Sequence, residues 1–251
     1  MVDDRNDRDG RPAARAGEGL ERSAPGARAV ESFLAEAARL APRAGAGRLV
    51  FSLDATMSRQ PTWDRAAELQ AGMFEEAVGQ GGLLVSLVYF RGLGECRSSR
   101  FVGDAAALKR LMSGIECRSG FTQIGRVLGH AAATAREAPL AALVHVGDAA
   151  EEEIDGLAGR AGDLALLGVK AFMFQEGDDP AAAKAFAEIA RLTGGAHCRF
   201  DAGSAGRLAS LLRAVAAYAS GGYPALARAA ERGGEGARLL VGSLGRDRGA
   251  S

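Results

Sequence analysis

A run of apolar residues without a charge, Leu49-Val50-Phe51-Ser52-Leu53, restricts the possible folds more than any other feature of this chain. Such a run predicts a β-strand buried on both faces, because a strand with one wet face would alternate apolar and polar residues. Asp54, Thr56 and Ser58 follow at every second position, where that strand must end. Oxygen atoms so closely spaced on one loop suit a small hard cation such as Mg²⁺. The same residue types also cap helices and form turns, so the pentapeptide alone leaves both interpretations open.

Strand and helix patterns alternate along most of the chain. After the strand that ends at Asp54, short apolar runs predict strands at 83–90, 96–102, 140–146, 169–174 and 196–200. The turn at Gly92 and Gly94 is too short for a helical crossover, which predicts that segment 96–102 is an antiparallel edge strand. Helical patterns separate the other strands. The alternation predicts an α/β fold with a mainly parallel sheet and helices on both faces.

Composition divides the chain into two tails and a core. Residues 1–28 mix charged residues with Gly, Ala and Pro and have no apolar period, which predicts a disordered tail. A helix is predicted at 29–41, and the core of the domain at 47–220, so that the whole domain spans 29–221. From 222 to 251 Gly and Ala dominate, which predicts a C-terminal tail.

The charge balance disfavours several classes of partner. Lys and Arg total 31, as do Asp and Glu, so no net charge attracts nucleic acid or an acidic membrane. No apolar stretch approaches the roughly 18 residues of a membrane span, and the N-terminus lacks the apolar region of a signal peptide. Three cysteines without metal-site spacing favour a reducing compartment. We therefore predict a cytoplasmic protein that binds neither nucleic acid nor membrane.

Acids stand at the ends of two predicted strands, at Asp54 and at Asp148, and Thr122 precedes another predicted helix. In sheets of this type, ligands bind beyond the carboxyl ends of the strands, where the strand order reverses. If the two strands are neighbours at that point, oxygens of Asp54, Thr56, Ser58, Thr122 and Asp148 converge on one spot.

Three segments together resemble the von Willebrand factor A (VWA) domain, in its bacterial intracellular form. They are the Asp54-to-Ser58 loop, the segment Gly120-Phe-Thr122-Gln-Ile, and the strand end Val-Gly-Asp148. The resemblance covers about residues 47–220. It implies a Rossmann-like, six-stranded sheet with one antiparallel edge strand and a metal-ion-dependent adhesion site at its top.

The resemblance also implies a role for each site residue. Thr56 and Ser58 would coordinate Mg²⁺ or Mn²⁺ directly, and Thr122 would match the family's distant threonine. Asp54 and Asp148 would act mostly through bound water. The family leaves one coordination position open, which an acidic side chain of a protein partner usually fills.

These roles imply a non-enzymatic adaptor rather than a catalyst. Intracellular bacterial members of the family often work beside AAA⁺ ATPases or chaperones, which makes such systems the expected partners. The chain departs from the family pattern at Gly147, where Thr is common, and at Ala149, where Gly is common.

A Mg²⁺-dependent phosphohydrolase of the haloacid-dehalogenase type is the alternative, with Asp54 as nucleophile. That family also begins with an apolar strand that ends in Asp, and Gly177-Asp178-Asp179 resembles its later acidic motif. The chemistry normally needs a second Asp two residues after the nucleophile as general acid and base, and Thr56 stands there instead.

Two further groups of residues suggest ligands but have simpler explanations. Glu151, Glu152 and Glu153 resemble an acidic metal cluster, yet acids are favoured in the first turn of a helix by its dipole, and a helix is predicted from about Glu151. His130, His145 and His197 lack metal-ligand spacing, so packing or surface roles are expected for them.

Overall fold

A computed structural model describes residues 47–60, 82–201 and 205–246. The strands are β1 (Gly47–Asp54), β2 (Leu83–Arg91), β3 (Glu95–Ser98), β4 (Ala142–Gly147), β5 (Lys170–Glu176) and β6 (Ala196–Phe200). The helices are α1 (Ala105–Ser113), α2 (Ile124–Glu137), α3 (Ile154–Leu166), α4 (Pro180–Thr193), α5 (Ala205–Glu231) and α6 (Glu235–Arg246). A single 3₁₀ turn, Met57–Arg59, follows β1. The predicted N-terminal tail and the predicted helix at 29–41 lie outside the described residues.

The six strands form one sheet in the order β3-β2-β1-β4-β5-β6. Every neighbouring pair is parallel except β2 and β3, which are antiparallel. The predicted fold class, a mainly parallel sheet with one antiparallel edge strand, is therefore confirmed. The edge strand is shorter than predicted: it ends at Ser98, and only Val102 returns to pair with Val85.

Helices cover both faces of the sheet, and β1 lies between them. Leu49, Phe51 and Leu53 face one core, which also contains buried residues of α1, α5 and α6. Val50 faces the other core, against α2, α3 and α4. Alternate side chains of a strand point to opposite faces, so a strand covered on both sides is apolar at consecutive positions. This is the physical reason for the uncharged run at 49–53.

The C-terminal region differs from its prediction. Residues 222–246 are not a tail, since α5 continues to Glu231 across a kink at Gly221 and Gly222, and α6 follows. Their apolar side chains, Leu226, Leu240 and Leu244, are buried in the core shared with β1. Small residues permit this packing: a Cβ at Gly236 would collide with the backbone of Ser210. The Gly and Ala content that predicted a tail instead brings two helices close together.

In the part of the chain that the structure describes, no helix combines the length and the apolar character needed to cross a membrane.

Candidate metal-binding site

The strand order reverses between β1 and β4, which are parallel neighbours. β1 leads outward to β2 on one side, and β4 leads to β5 on the other. Leu53 pairs with Val146, so Asp54, the last residue of β1, lies beside the end of β4 at Gly147 and Asp148. The topology therefore brings the two predicted acids to one crevice at the carboxyl edge of the sheet. In sheets of this type, ligands bind in the crevice at this point.

The loop after β1 is held by its own polar groups. The backbone N–H of Thr56 donates to Oδ1 of Asp54 over 2.8 Å. The hydroxyls of Thr56 and Ser58 lie 3.0 Å apart. Although Thr56 stands at the N-cap position of the 3₁₀ turn, its side chain makes no capping hydrogen bond. Within the described residues, Thr56 is thus not a helix cap, whereas Asp54 makes the side-chain bond of a turn, and the hydroxyls of Thr56 and Ser58 are used for neither purpose.

A cavity of about 250 Å³ opens above this loop. It is lined by Thr56, Met57, Ser58, Ser119, Gly120, Thr122, Ala149 and Glu151. Three of the five predicted residues, Thr56, Ser58 and Thr122, thus share one cavity wall. Asp54 is fully buried and lies below this surface. Sequence reasoning missed Ser119 and did not place Glu151 in the cavity.

The loop after β4 is fastened to the segment that carries Thr122. The N–H of Thr122 donates to Oε2 of Glu151 over 2.8 Å, and the N–H of Glu151 donates to the Thr122 hydroxyl over 3.0 Å. Glu152 accepts hydrogen bonds from the N–H groups of Ile124 (2.6 Å) and Gly125 (2.8 Å) at the start of α2. These bonds fix Thr122 relative to the end of β4.

The acids at 151–153 therefore act differently from their prediction. α3 begins at Ile154, later than predicted, and Glu153 at its N-cap makes no side-chain capping bond. Glu151 stands before that helix, and Glu152 stabilises the N-terminus of α2 instead of its own helix. A carboxylate is favoured at a helix N-terminus, as predicted, but the helix that Glu152 stabilises is α2 rather than α3.

We expect Glu152→Ala to destabilise the fold by about 1–2 kcal/mol, because it removes an acidic cap from two N–H groups of α2. Urea unfolding followed by circular dichroism would measure the change. Glu153→Ala is the matched control, since its side chain makes no capping bond, and its effect should stay within about 0.5 kcal/mol. Equal losses in both variants would contradict the assigned role of Glu152.

One oxygen of each acid at the switch point, Oδ2 of Asp54 and Oδ1 of Asp148, is buried and accepts no hydrogen bond within the described residues. Burial raises the pKa of Asp54 from 3.8 to about 6, and the charge of Asp148 adds to that rise, whereas hydrogen bonds from Thr56 and the charge of the buried Arg59 oppose it. Buried polar atoms are normally satisfied, so two neighbouring carboxylate oxygens without partners need an explanation.

A hard divalent cation fits this donor set, which consists of oxygen atoms alone. The described residues contain no group of three or more His, Cys, Asp or Glu residues placed to hold a metal. That result is compatible with the predicted site, in which three of the five residues supply hydroxyls and only Asp54 and Asp148 supply carboxylates.

Gly147, which departs from the family pattern, has a steric explanation. A Cβ at this position would lie 2.8 Å from Nε2 of His145 and 3.4 Å from the Cβ of Asp54. The His145 ring is fully buried, stacks on Phe90 and lies 3.2 Å from the Ser52 hydroxyl through Nδ1. Burial, reinforced by the charge of Arg59, lowers its pKa to about 3. A neutral, packed His145 therefore occupies space that a larger residue at 147 would need.

An ion pair beside the site was also missed from the sequence. Arg59 is almost completely buried, and its Nε lies 3.2 Å from Oε2 of Glu176 at the end of β5. The sequence signal was weak: a single arginine directly after the Asp54-to-Ser58 loop, and an acid at the end of a strand.

Comparison with known proteins identifies the fold. No protein-family model and no curated protein sequence matches this chain. Among solved structures, it resembles a von Willebrand factor type A protein from Catenulispora acidiphila, with 18% identity and a TM-score of 0.54 over 70% of this chain and 43% of that chain. The chain has a VWA-like fold.

Two further structures agree with this assignment. The VWA domain of SpRpn10 is 11% identical with a TM-score of 0.52, over 65% of this chain and 95% of that domain. The human COPII-coat protein Sec24c is 12% identical with a TM-score of 0.52, over 68% of this chain and 32% of its own. The chain thus spans less than half of the Catenulispora protein and about a third of Sec24c. Domains with the VWA fold often mediate protein interactions.

Proposed function

We propose that this chain is a non-enzymatic protein-binding module that binds Mg²⁺ or Mn²⁺. A carboxylate from a partner protein would complete the coordination of this ion. One observation carries the proposal: two buried carboxylate oxygens without partners, on Asp54 and Asp148, lie at the switch point of the sheet. The hydroxyls of Thr56, Ser58 and Thr122 line the cavity above Asp54. A cation placed there would stabilise the carboxylates and use the hydroxyls as ligands.

The charge balance of these donors explains why a partner is needed. The hydroxyls of Thr56, Ser58 and Thr122 are neutral, and the carboxylates of Asp54 and Asp148 would act through water. A dication whose direct protein ligands are all neutral keeps a strong positive charge in its inner coordination shell, even though the carboxylates of Asp54, Asp148 and Glu151 lie nearby. An incoming carboxylate completes both its coordination and its charge, and does so with strict geometry. The loops after β1 and β4 hold the hydroxyls in place by their own hydrogen bonds.

The biological setting belongs to the same proposal. We expect a cytoplasmic adaptor of bacterial type that acts beside an AAA⁺ ATPase or a chaperone, with neither nucleic acid nor membrane as partner. The zero formal net charge supports the last part, because no overall field attracts polyanions.

The phosphohydrolase alternative is not supported by the geometry. Thr56, at the position of the required general acid and base, bonds to Ser58 and offers only a hydroxyl. The acidic motif at 177–179 has another use: the Asp179 side chain accepts from the N–H of Ala182 over 2.7 Å and caps α4. Asp179 therefore has a structural role as the N-cap of α4, and its presence does not indicate a metal site.

Affinity capture from a bacterial lysate would test the proposed function. Immobilised wild-type chain is expected to retain specific proteins in Mg²⁺ and to release them in EDTA, with Mn²⁺ restoring retention. The Ser58→Ala/Thr122→Ala variant should lose these proteins, whereas Ser113→Ala, an exposed serine on α1, should keep them. Retention that neither EDTA nor the double substitution changes would place the recognition surface elsewhere.

A further inference from the structure

We propose that the rim of the candidate metal site selects an acidic segment of the partner in which the metal-binding carboxylate is flanked by apolar side chains. This inference rests on the proposed function and adds the chemistry of the partner segment. It is carried by an exposed apolar rim, which consists of Met57, Leu93 and Phe121, and by basic residues beside it.

The apolar rim is unusual in its exposure. Leu93 is 87% exposed, Phe121 62% and Met57 48%. The other large apolar side chains with comparable exposure in the described residues are Leu166, Leu167 and Leu239. Leu166 and Leu167 lie at the end of α3 that leads into β5, at the opposite edge of the sheet. Half of these exposed apolar residues are therefore gathered at the edge that carries the site. Exposed apolar groups rimmed by polar ones mark interaction surfaces.

The three loops that carry the rim are in direct contact. Met57 follows the end of β1, and Phe121 immediately precedes Thr122. The N–H of Arg118 donates to the carbonyl of Ala55 over 3.0 Å, which joins these two loops. A Cβ at Gly120 would collide with the backbone of Gly92, so the β2–β3 turn, with Leu93 at its tip, lies against the same segment.

The turn that presents Leu93 is also held in place. Nη1 of Arg126 donates to the carbonyl of Gly94 over 2.6 Å and to Oε1 of Gln123 over 2.7 Å. Nε2 of Gln123 donates to the carbonyls of Arg91 and Glu95. These bonds fasten the turn to the start of α2. A surface that is already ordered loses little entropy on binding, which favours recognition.

The charge beside the apolar rim favours an acidic ligand. One carboxylate, that of Glu95, is shared by Arg91 at 3.0 Å, Arg97 at 3.7 Å and Arg118 at 3.8 Å. Arg97 and Arg118 are more than half exposed. Glu116 offsets part of this charge through Arg91. Arg126, which is exposed beside the turn, adds a fourth arginine, so among the described residues four arginines face two glutamates and the local charge is positive.

The opposite side of the cavity is negatively charged. Glu151 lines it and, like Glu153, is exposed. Additional acids of a bound segment are therefore favoured toward β3 and disfavoured toward the loop after β4. A carboxylate on the cation would place its neighbouring residues over Met57, Leu93 and Phe121, where apolar side chains can be buried.

Selection of displayed random peptides would test this inference. The probe is a library of short random peptides on phage, captured by the full Mn²⁺-loaded chain and eluted with EDTA. Eluted peptides are expected to be enriched in an acid with an apolar residue within two positions. On the Leu93→Ser/Phe121→Ser variant, the apolar enrichment should fall about tenfold while the acid is retained, since two exposed apolar contacts are lost. Leu166→Ser, which changes an equally exposed leucine at the other edge, should leave the enrichment unchanged.

The possible results separate this inference from the proposed function. Acidic peptides without apolar enrichment, or equal apolar enrichment on the wild type and the Leu93→Ser/Phe121→Ser variant, would overturn the inference alone. Absence of EDTA-eluted peptides would overturn it as well. If Mn²⁺ titration of the wild type also gave no heat, the proposed function would fall with it. The substituted side chains are exposed, so folding is not expected to change.

Discussion

Titration of the metal-free protein with Mg²⁺ or Mn²⁺ is expected to reveal one binding event per chain, and Ser58→Ala/Thr122→Ala to weaken it by about 100-fold or more. The reason is that the double substitution removes two hydroxyls that the proposed site uses as direct ligands, and loss even of outer partners of a metal typically costs about 10–100-fold in affinity. Isothermal titration calorimetry measures both quantities. Thermal unfolding gives a second measure, since a ligand at about 100 times its Kd stabilises the native state by about 2.7 kcal/mol.

Ser113→Ala is the control for this titration, because its exposed hydroxyl bonds to the carbonyl of Arg110 within α1, away from the candidate site. It should bind the cation as the wild type does. Absence of heat for the wild type would count against any metal at this edge of the sheet. Undiminished binding by the Ser58→Ala/Thr122→Ala variant would show that the cation uses other ligands.

The strands and the antiparallel edge of the sheet followed from the sequence because they depend on local patterns. Uncharged runs such as 49–53 identify strands with both faces covered, and the short turn at Gly92 and Gly94 identifies the antiparallel edge strand. Once the strands are parallel, their carboxyl ends share one edge. Asp54 and Asp148 were thereby expected to approach each other if β1 and β4 were neighbours, which they are.

The missed features depend on contacts between distant segments. Glu152 caps a helix that begins 28 residues earlier in the chain, and no local pattern distinguishes that bond from capping of its own helix. A side chain does not fit at position 147 because the His145 ring lies there, and the sequence does not show the position of that ring. The C-terminal helices were missed for a different reason: small residues weaken the apolar period, although they let Leu226 and Leu240 reach the core.

Asp54→Asn is expected to stabilise the metal-free protein at pH 8 by as much as about 3 kcal/mol. In the folded chain, burial raises the pKa of Asp54 from 3.8 to about 6. Because the folded state holds the proton more tightly, the stabilising contribution of the protonated acid is complete below pH 4 and is lost as the pH rises through 6. The difference between the two pKa values corresponds to about 3 kcal/mol. The asparagine is neutral at every pH and keeps an oxygen that can accept from the N–H of Thr56.

Urea unfolding in EDTA at pH 5 and pH 8 would measure this effect on the free energy of unfolding. The wild type should lose stability between pH 5 and pH 8 relative to Asp54→Asn. Asp178→Asn, a change at an exposed acid, should behave as the wild type does.

Saturating Mg²⁺ should make the wild type more stable than Asp54→Asn at pH 8, because a cation near Asp54 stabilises the ionised carboxylate and gives the asparagine no comparable gain. A variant that is less stable than the wild type in EDTA at pH 8 would contradict the burial argument. If Mg²⁺ stabilised the wild type and Asp54→Asn equally, Asp54 would not contribute to metal binding. Under the proposed function, Asp54 would lower the stability of the empty domain and raise its affinity for the cation, as expected where a functional site retains a buried charge.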